Sequence, residues 1–268
     1  MRGIKFLFAK YEIQLTSRVR LDQGEDKLET IKIAVIGTLA AGLTVGVMAT
    51  PASARTLKLN VDSFKNGEMI PNKHAFCVPT AQGHTTAGPN ISPRLSWSKG
   101  PRGTKSYAII LYDTDSPKEQ REKMNKEGVT MTSAIPRRTF YHWVLVDIPA
   151  NVTSLPEGAE ATGRVPHGIP AATKVGVRGI SDFTKIFAGN EQLKGDYYGY
   201  TGPCPPWNDE NIHHMHFMVY ALSVPTLNLS TGFDGAAAMD AMKGKILAQG
   251  ELLGLYTQNP DKGAEIPK

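Results

Sequence analysis

The chain has 268 residues, 41% hydrophobic and 21% charged, a balance ordinary for a globular protein of one large domain or two small ones. Its formal net charge is +5, of which residues 1–54 supply +2 through 7 Lys/Arg against 5 Asp/Glu. No basic stripe with interleaved aromatics survives that division, which speaks against nucleic acid as a partner and leaves contact with anionic partners or membrane surfaces open.

Residues 1–32 are a polar extension without clear periodicity, read either as an over-extended gene start or as a cytosolic tail. Ile33 to Thr50 is an apolar run preceded by Lys27 and Lys32 and followed by Pro51-Ala52-Ser53-Ala54, with small residues at the two positions a signal peptidase reads. A signal peptide over 33–54 is expected, cleaved near Ala54, with export to the periplasm or secretion. The alternative is an uncleaved anchor, because the run approaches the ~20 residues that span a bilayer. In an oxidising compartment Cys77 and Cys204 form either one bridge or two buried thiols.

Residues 55–268 read as a single domain. With 26 Gly and 18 Pro the chain favours short strands joined by many turns. Leu57 to Val61 alternates as a half-buried strand does. Ser106 to Tyr112, Phe140 to Ile148 and Met215 to Leu222 are nearly continuous apolar runs closed by turn residues, and are predicted as buried strands of one sheet. A helix is predicted over Asp234 to Gln249, with Asp234 as N-cap and Gly250 as stop. Gly244 inside it costs about 1 kcal/mol relative to Ala. Lys118 to Gly128 reads as a short exposed helix. The stretches 118–139 and 157–200 lack periodicity, and structureless segments of that length are usually functional or mobile.

Four segments carry polar groups that could do chemistry. Asp113-Thr114-Asp115-Ser116-Pro117 ends a buried strand, where carboxylates either receive a ligand or bond their own turn. His142 lies on a strand whose alternation places Phe140, His142, Val144 and Val146 on one face, with Trp143 facing away into the core. A histidine there needs a hydrogen-bond partner, whether ligand or core group. Gly202-Pro203-Cys204-Pro205-Pro206 is a stiff loop in which Gly202 permits close approach of a ligand or of another backbone. In His213-His214-Met215-His216, His213 and Met215 share one face of a strand. No third ligand at metal-binding spacing follows. Phosphate-loop, nucleophile-elbow, zinc-helix and C-x-x-C signatures do not occur, so no cofactor is expected and an enzyme is disfavoured.

Taken in order, these segments resemble the phosphatidylethanolamine-binding protein family, also called Raf kinase inhibitor-like proteins. The matching residues are Gly67-x-x-Ile70-Pro71, Asn90-x-Ser92-Pro93-x-Leu95-x-Trp97, Ser106-Tyr107-Ala108, Asp113-x-Asp115-x-Pro117, His142-Trp143, Gly202 to Pro206, His213 and Phe217-x-x-Tyr220-Ala221-Leu222. The exported bacterial members are the most similar. The resemblance implies a mainly β fold, with a large antiparallel sheet packed on a smaller sheet and a few peripheral helices. It implies a non-enzymatic pocket for small anions and phosphoryl headgroups, walled by Asp113, Asp115, Pro117, His142, Gly202, Pro205, Pro206 and His213. In that reading both imidazoles donate to phosphate oxygens, and Asp113 takes a ligand amine or orients a histidine. Met215 stands where an aromatic is usual, and the basic segment between Pro117 and His142 is longer than in eukaryotic members. Two other functions stay in view: regulation or inhibition of a protein partner through surface loops, and hydrolysis by Asp113 or Asp115 with His142 as acid–base pair.

Overall fold

The three apolar runs that anchor the sequence reading become three of the four longest strands in a computed structural model that describes residues 55–265. The extension and signal peptide expected over residues 1–54 lie outside the described residues. Short strands come first: β1 (Arg55–Thr56), β2 (Leu59–Val61), β3 (Glu68–Met69), β4 (Cys77–Thr80), β5 (His84–Ala87) and β6 (Leu95–Trp97). They are followed by β7 (Ser106–Pro117), β8 (Arg137–Pro149), β9 (Ser154–Leu155), β10 (Val177–Arg178), β11 (His213–Leu222) and β12 (Ile246–Tyr256). The helices are α1 (Phe183–Ile186) and α2 (Gly235–Met242).

The large sheet runs β1-β12-β11-β7-β8-β10, with β3 also pairing β12. Its four long strands and β10 are antiparallel, while β1 and β3 add to β12 in parallel. A second sheet, β2-β6-β9, covers one face. Strand alternation sorts the core accordingly. Tyr107, Ile109 and Leu111 of β7 pack with Val61, Leu95 and Trp97 from the small sheet, whereas Ala108 and Ile110 pack with Met218, Tyr220 and, from α2, Ala238 and Met242. Because both faces of β7 and β8 are covered, their sequences read as continuous apolar runs.

The predicted helix over Asp234 to Gln249 is corrected. Asp234 does cap it, accepting from the Ala237 N–H at 3.0 Å, but α2 ends at Met242. Lys243 leaves the helical conformation at φ −52°, ψ 130°, Gly244 turns at φ +72°, and from Ile246 the chain pairs with β11, so Gly250 lies inside a strand. Gly244 therefore ends the helix, because a left-handed residue breaks the ladder of i→i−4 bonds and glycine reaches that conformation at least cost. The short helix predicted over Lys118 to Gly128 is reduced to one 3₁₀ turn, Arg121–Lys123.

The expected sharing of faces along β8 is also corrected. The β7–β8 register steps from Leu111↔Trp143 directly to Tyr112↔Tyr141, leaving His142 as an extra residue in a β-bulge. Beyond it, Val144 and Val146 pack with Ala108 and Ile110. Phe140 and His142 are shifted to the face that carries Asp113 and Met215, where they line a common cavity. Trp143 is core, fully buried and edge-on to Tyr200, but it packs in the cluster of Leu111 and Met215 rather than on the opposite face from His142. A second irregularity between Asp113 and Ser116 gives β7 one residue more than its partner, and Ser116 and Pro117 become buried cavity wall.

Candidate functional site

A cavity of about 270 Å³ lies where the end of β7, the first half of β8 and the start of β11 meet. Of the eight residues expected in its wall, Asp113, Pro117, His142, Pro205, Pro206 and His213 line it. The structure does not bring Asp115 and Gly202 to the lining. The Asp115 carboxylate accepts from the His214 backbone N–H at 3.0 Å and pairs with His214 Nδ1 at 2.9 Å. Gly202 sits behind the wall, its N–H donating to Asn90 Oδ1 at 2.8 Å. A Cβ there would fall 1.9 Å from the His74 carbonyl oxygen, so glycine is required by the close approach of the protein's own backbone.

His213 is the centre of a buried chain of alternating charge. Its Nδ1 donates to Asp113 Oδ2 at 2.7 Å and its Nε2 to Asp209 Oδ2 at 3.2 Å. Asp209 in turn receives a two-pronged contact from Arg137, at 2.6 and 3.0 Å. Burial works against the charge on His213, but the Asp113 and Asp209 carboxylates outweigh it and raise the imidazole pKa to about 10. Burial likewise opposes ionisation of Asp113, and His213 overcomes it, holding the carboxyl below its ordinary range. With both N–H groups spent on carboxylates, His213 has no donor left for a ligand, which corrects the expectation that two imidazoles donate to phosphate. Asp113 also accepts from the Asp115 N–H at 2.7 Å, and its bond to His213 orients that histidine.

His142 is a different kind of histidine. Its Nδ1 donates to the carbonyls of Thr201 and Gly202 at 3.0 and 3.1 Å, which assigns the tautomer and leaves Nε2 with no partner among the described residues. Burial pushes its pKa down despite the raising influence of Asp113, so near neutral pH the ring is uncharged and Nε2 is an acceptor. Among the described residues no hydrogen bond joins His142 to Asp113 or Asp115, and the acid–base pair that hydrolysis would need is not formed.

Besides the His213 imidazolium, the cavity wall carries the guanidinium of Arg164, which the sequence reading did not single out. It comes from the irregular stretch 157–200, where no periodicity marks one arginine apart from its neighbours. Its guanidinium lies over the Phe76 ring, 4.6 Å from the centroid. Burial lowers its pKa from the usual arginine value. No carboxylate among the described residues pairs with it. The surrounding loop is held by buried polar contacts. Arg178 bonds Glu160 at 2.9 Å and the carbonyls of Pro170, Ala172 and Ala159. Asn90, besides accepting from Gly202, donates to the Gly163 carbonyl at 3.1 Å. Asn90 thus ties the residue before Arg164 to the proline-rich run, a physical reason for an asparagine in the Asn90-x-Ser92-Pro93 motif.

Two further features close the wall. Cys77 and Cys204, both on the lining, are joined as a disulfide with Cα atoms 4.7 Å apart. The basic segment 118–139 supplies Met124 and Asn125 to the lining. Its path is fixed by Asn208, whose side-chain amide donates to the carbonyls of Lys123 (2.9 Å), Val129 (2.9 Å) and Lys126 (3.4 Å).

A large antiparallel sheet backed by a small one, with few helices, is the architecture the resemblance implied, and comparison with known families agrees. The profile described as Phosphatidylethanolamine-binding protein matches residues 60–257, and the chain belongs to that family. It is 32% identical over 221 residues to a UPF0098 protein of Aquifex aeolicus, covering 82% of this chain and all of that one. It is 29% identical over 228 residues to the UPF0098 protein YbcL of Escherichia coli, covering 84% of this chain and 98% of that one. The crystal structure of E. coli YbcL, described as a new member of the mammalian PEBP family, superposes with a TM-score of 0.53 at 28% identity, covering 75% of this chain and 98% of that one.

Proposed function

We propose that the protein binds a small anionic or phosphorylated ligand in this cavity without transforming it. The observation that carries the proposal is the half-buried Arg164 guanidinium, which lines the cavity and has no carboxylate partner among the described residues. The Asp113–His213–Asp209–Arg137 chain carries two negative and two positive charges, so it adds no net charge to oppose an anion. Guanidinium bonds to phosphate oxygens are charge-assisted and can be two-pronged. His142 Nε2 complements this by accepting from a ligand hydroxyl. A non-enzymatic role fits the engagement of His213 by two carboxylates and the separation of His142 from both aspartates. Export fits the same reading, since disulfides persist in oxidising compartments.

The test is thermal. At a phosphate concentration 100 times the dissociation constant, linkage adds about 2.7 kcal/mol to stability. Phosphate is expected to raise the melting temperature of the wild type, and Arg164→Ala to abolish most of that rise. Equal stabilisation of both proteins would remove the assignment of the anion to this cavity.

A further inference from the structure

We propose that the ligand is an anion carrying a ring-sized apolar group, with the anion on Arg164 and the apolar group against Phe140, Phe183 and Phe187. The inference rests on the anion reading above and specifies its ligand class. Size is the first argument. A bare phosphate fills only part of a 270 Å³ cavity, given that a water molecule occupies roughly 30 Å³ of liquid and phosphate is a few times larger. The composition of the remaining wall is the second. Besides the three phenylalanines, it includes Met124, Ile186, Met215 and the three prolines Pro117, Pro205 and Pro206, apolar groups that gain nothing from a hydrated headgroup.

The phenylalanines form a built surface. Phe183 stacks on Phe76 at 4.6 Å and lies parallel to Phe187 at 5.2 Å, while Phe140 meets Phe183 edge-on at 5.1 Å. Offset and edge-on ring contacts of this kind accept a further ring readily. Cations flank the same cluster: Arg164 lies over Phe76, and Arg138 lies over Phe140 at 5.2 Å. An ammonium group on the ligand, by contrast, meets Asp113 as the one carboxylate on the lining, and its charge is already balanced by the His213 imidazolium. The cavity therefore favours an apolar substituent on the anion over an amino one.

The test is calorimetric titration of the full chain with inorganic phosphate, phosphoethanolamine and phenyl phosphate at one pH. Phenyl phosphate is expected to bind at least tenfold more tightly than either of the others, a gain that burial of one ring readily supplies. Phe187→Ala, at a partly buried position, should erase most of that gain while leaving phosphate affinity within about twofold. Ile186→Ser serves as a second variant with the same expectation. Phosphoethanolamine binding as tightly as phenyl phosphate, or a ring preference that survives both variants, would overturn the inference and leave the anion site standing. Failure of all three ligands to bind would overturn the anion reading beneath it.

Discussion

Replacing both Cys77 and Cys204 with serine removes a cross-link between positions 127 residues apart, a span that contains β7, β8 and both irregular stretches. In the chain-entropy description, opening a loop of that length returns about 5 kcal/mol of conformational freedom to the denatured state at 25 °C. The native wall has other ties. The N–H groups of Phe76 and Cys77 both donate to the Pro203 carbonyl, at 3.0 and 3.3 Å, and the Gln258 amide donates to the Pro205 carbonyl. The double variant is therefore expected to fold, with the loss arising in the denatured chain. For a domain of this size about 5 kcal/mol corresponds to a fall in melting temperature of roughly 10–20 °C. Differential scanning calorimetry of the wild type and the double variant, each with and without reductant, measures it. Reductant should lower the wild type to the level of the variant and leave the variant unmoved. A fall of less than about 3 °C, or an equal response of both proteins to reductant, would refute the argument that this bridge constrains the unfolded chain.

The buried charge chain makes a second prediction. His213→Ala leaves the Asp113 and Asp209 carboxylates buried without their shared cation, at a cost of about 3–5 kcal/mol at pH 7 by denaturant titration. His213 has its folded pKa raised to about 10 from roughly 6.5 in the unfolded chain. Its contribution is thus complete below about pH 6.5 and is lost as pH rises through 10. The stability gap between wild type and variant should narrow over that window, and a constant gap contradicts the ion pair. His142 shifts the other way, its pKa lowered by burial. An anion brought beside it favours its charged form, so binding takes up a proton and tightens as pH falls toward and below the ordinary histidine value of about 6.5. Sulfate is the suitable probe because it does not titrate in this range. A pH-independent affinity, or the same dependence in His142→Gln, contradicts the placement of the anion next to His142.

What the sequence disclosed, and what it hid, follows from where each signal resides. β7, β8 and β11 were legible because strands buried on both faces leave unbroken apolar runs that turn residues close. β12 was not, because Ile246 and Leu247 fit helical spacing as well as sheet pairing, and only the turn at Gly244 decides between them. Strands of two or three residues, such as β9 and β10, are too short to show a period. At the site, Asp113 and His213 lie 100 positions apart, and the pattern of the whole family was what brought them together before any coordinates did. The bulge at His142 exists only in the register of β8 against β7, so alternation read from one strand misassigned its faces. Arg164 left no local trace, since its role comes from Asn90 and Arg178 holding a loop that has no periodicity of its own.

The most direct trial of the anion site is a crystal structure of the protein soaked with phosphate. Density for the anion is expected within hydrogen-bond distance of the Arg164 guanidinium and of His142 Nε2, with His213 still bonded to Asp113 and Asp209. A cavity that holds only water at saturating phosphate, or an anion bound to His213 in place of its carboxylates, would contradict the account.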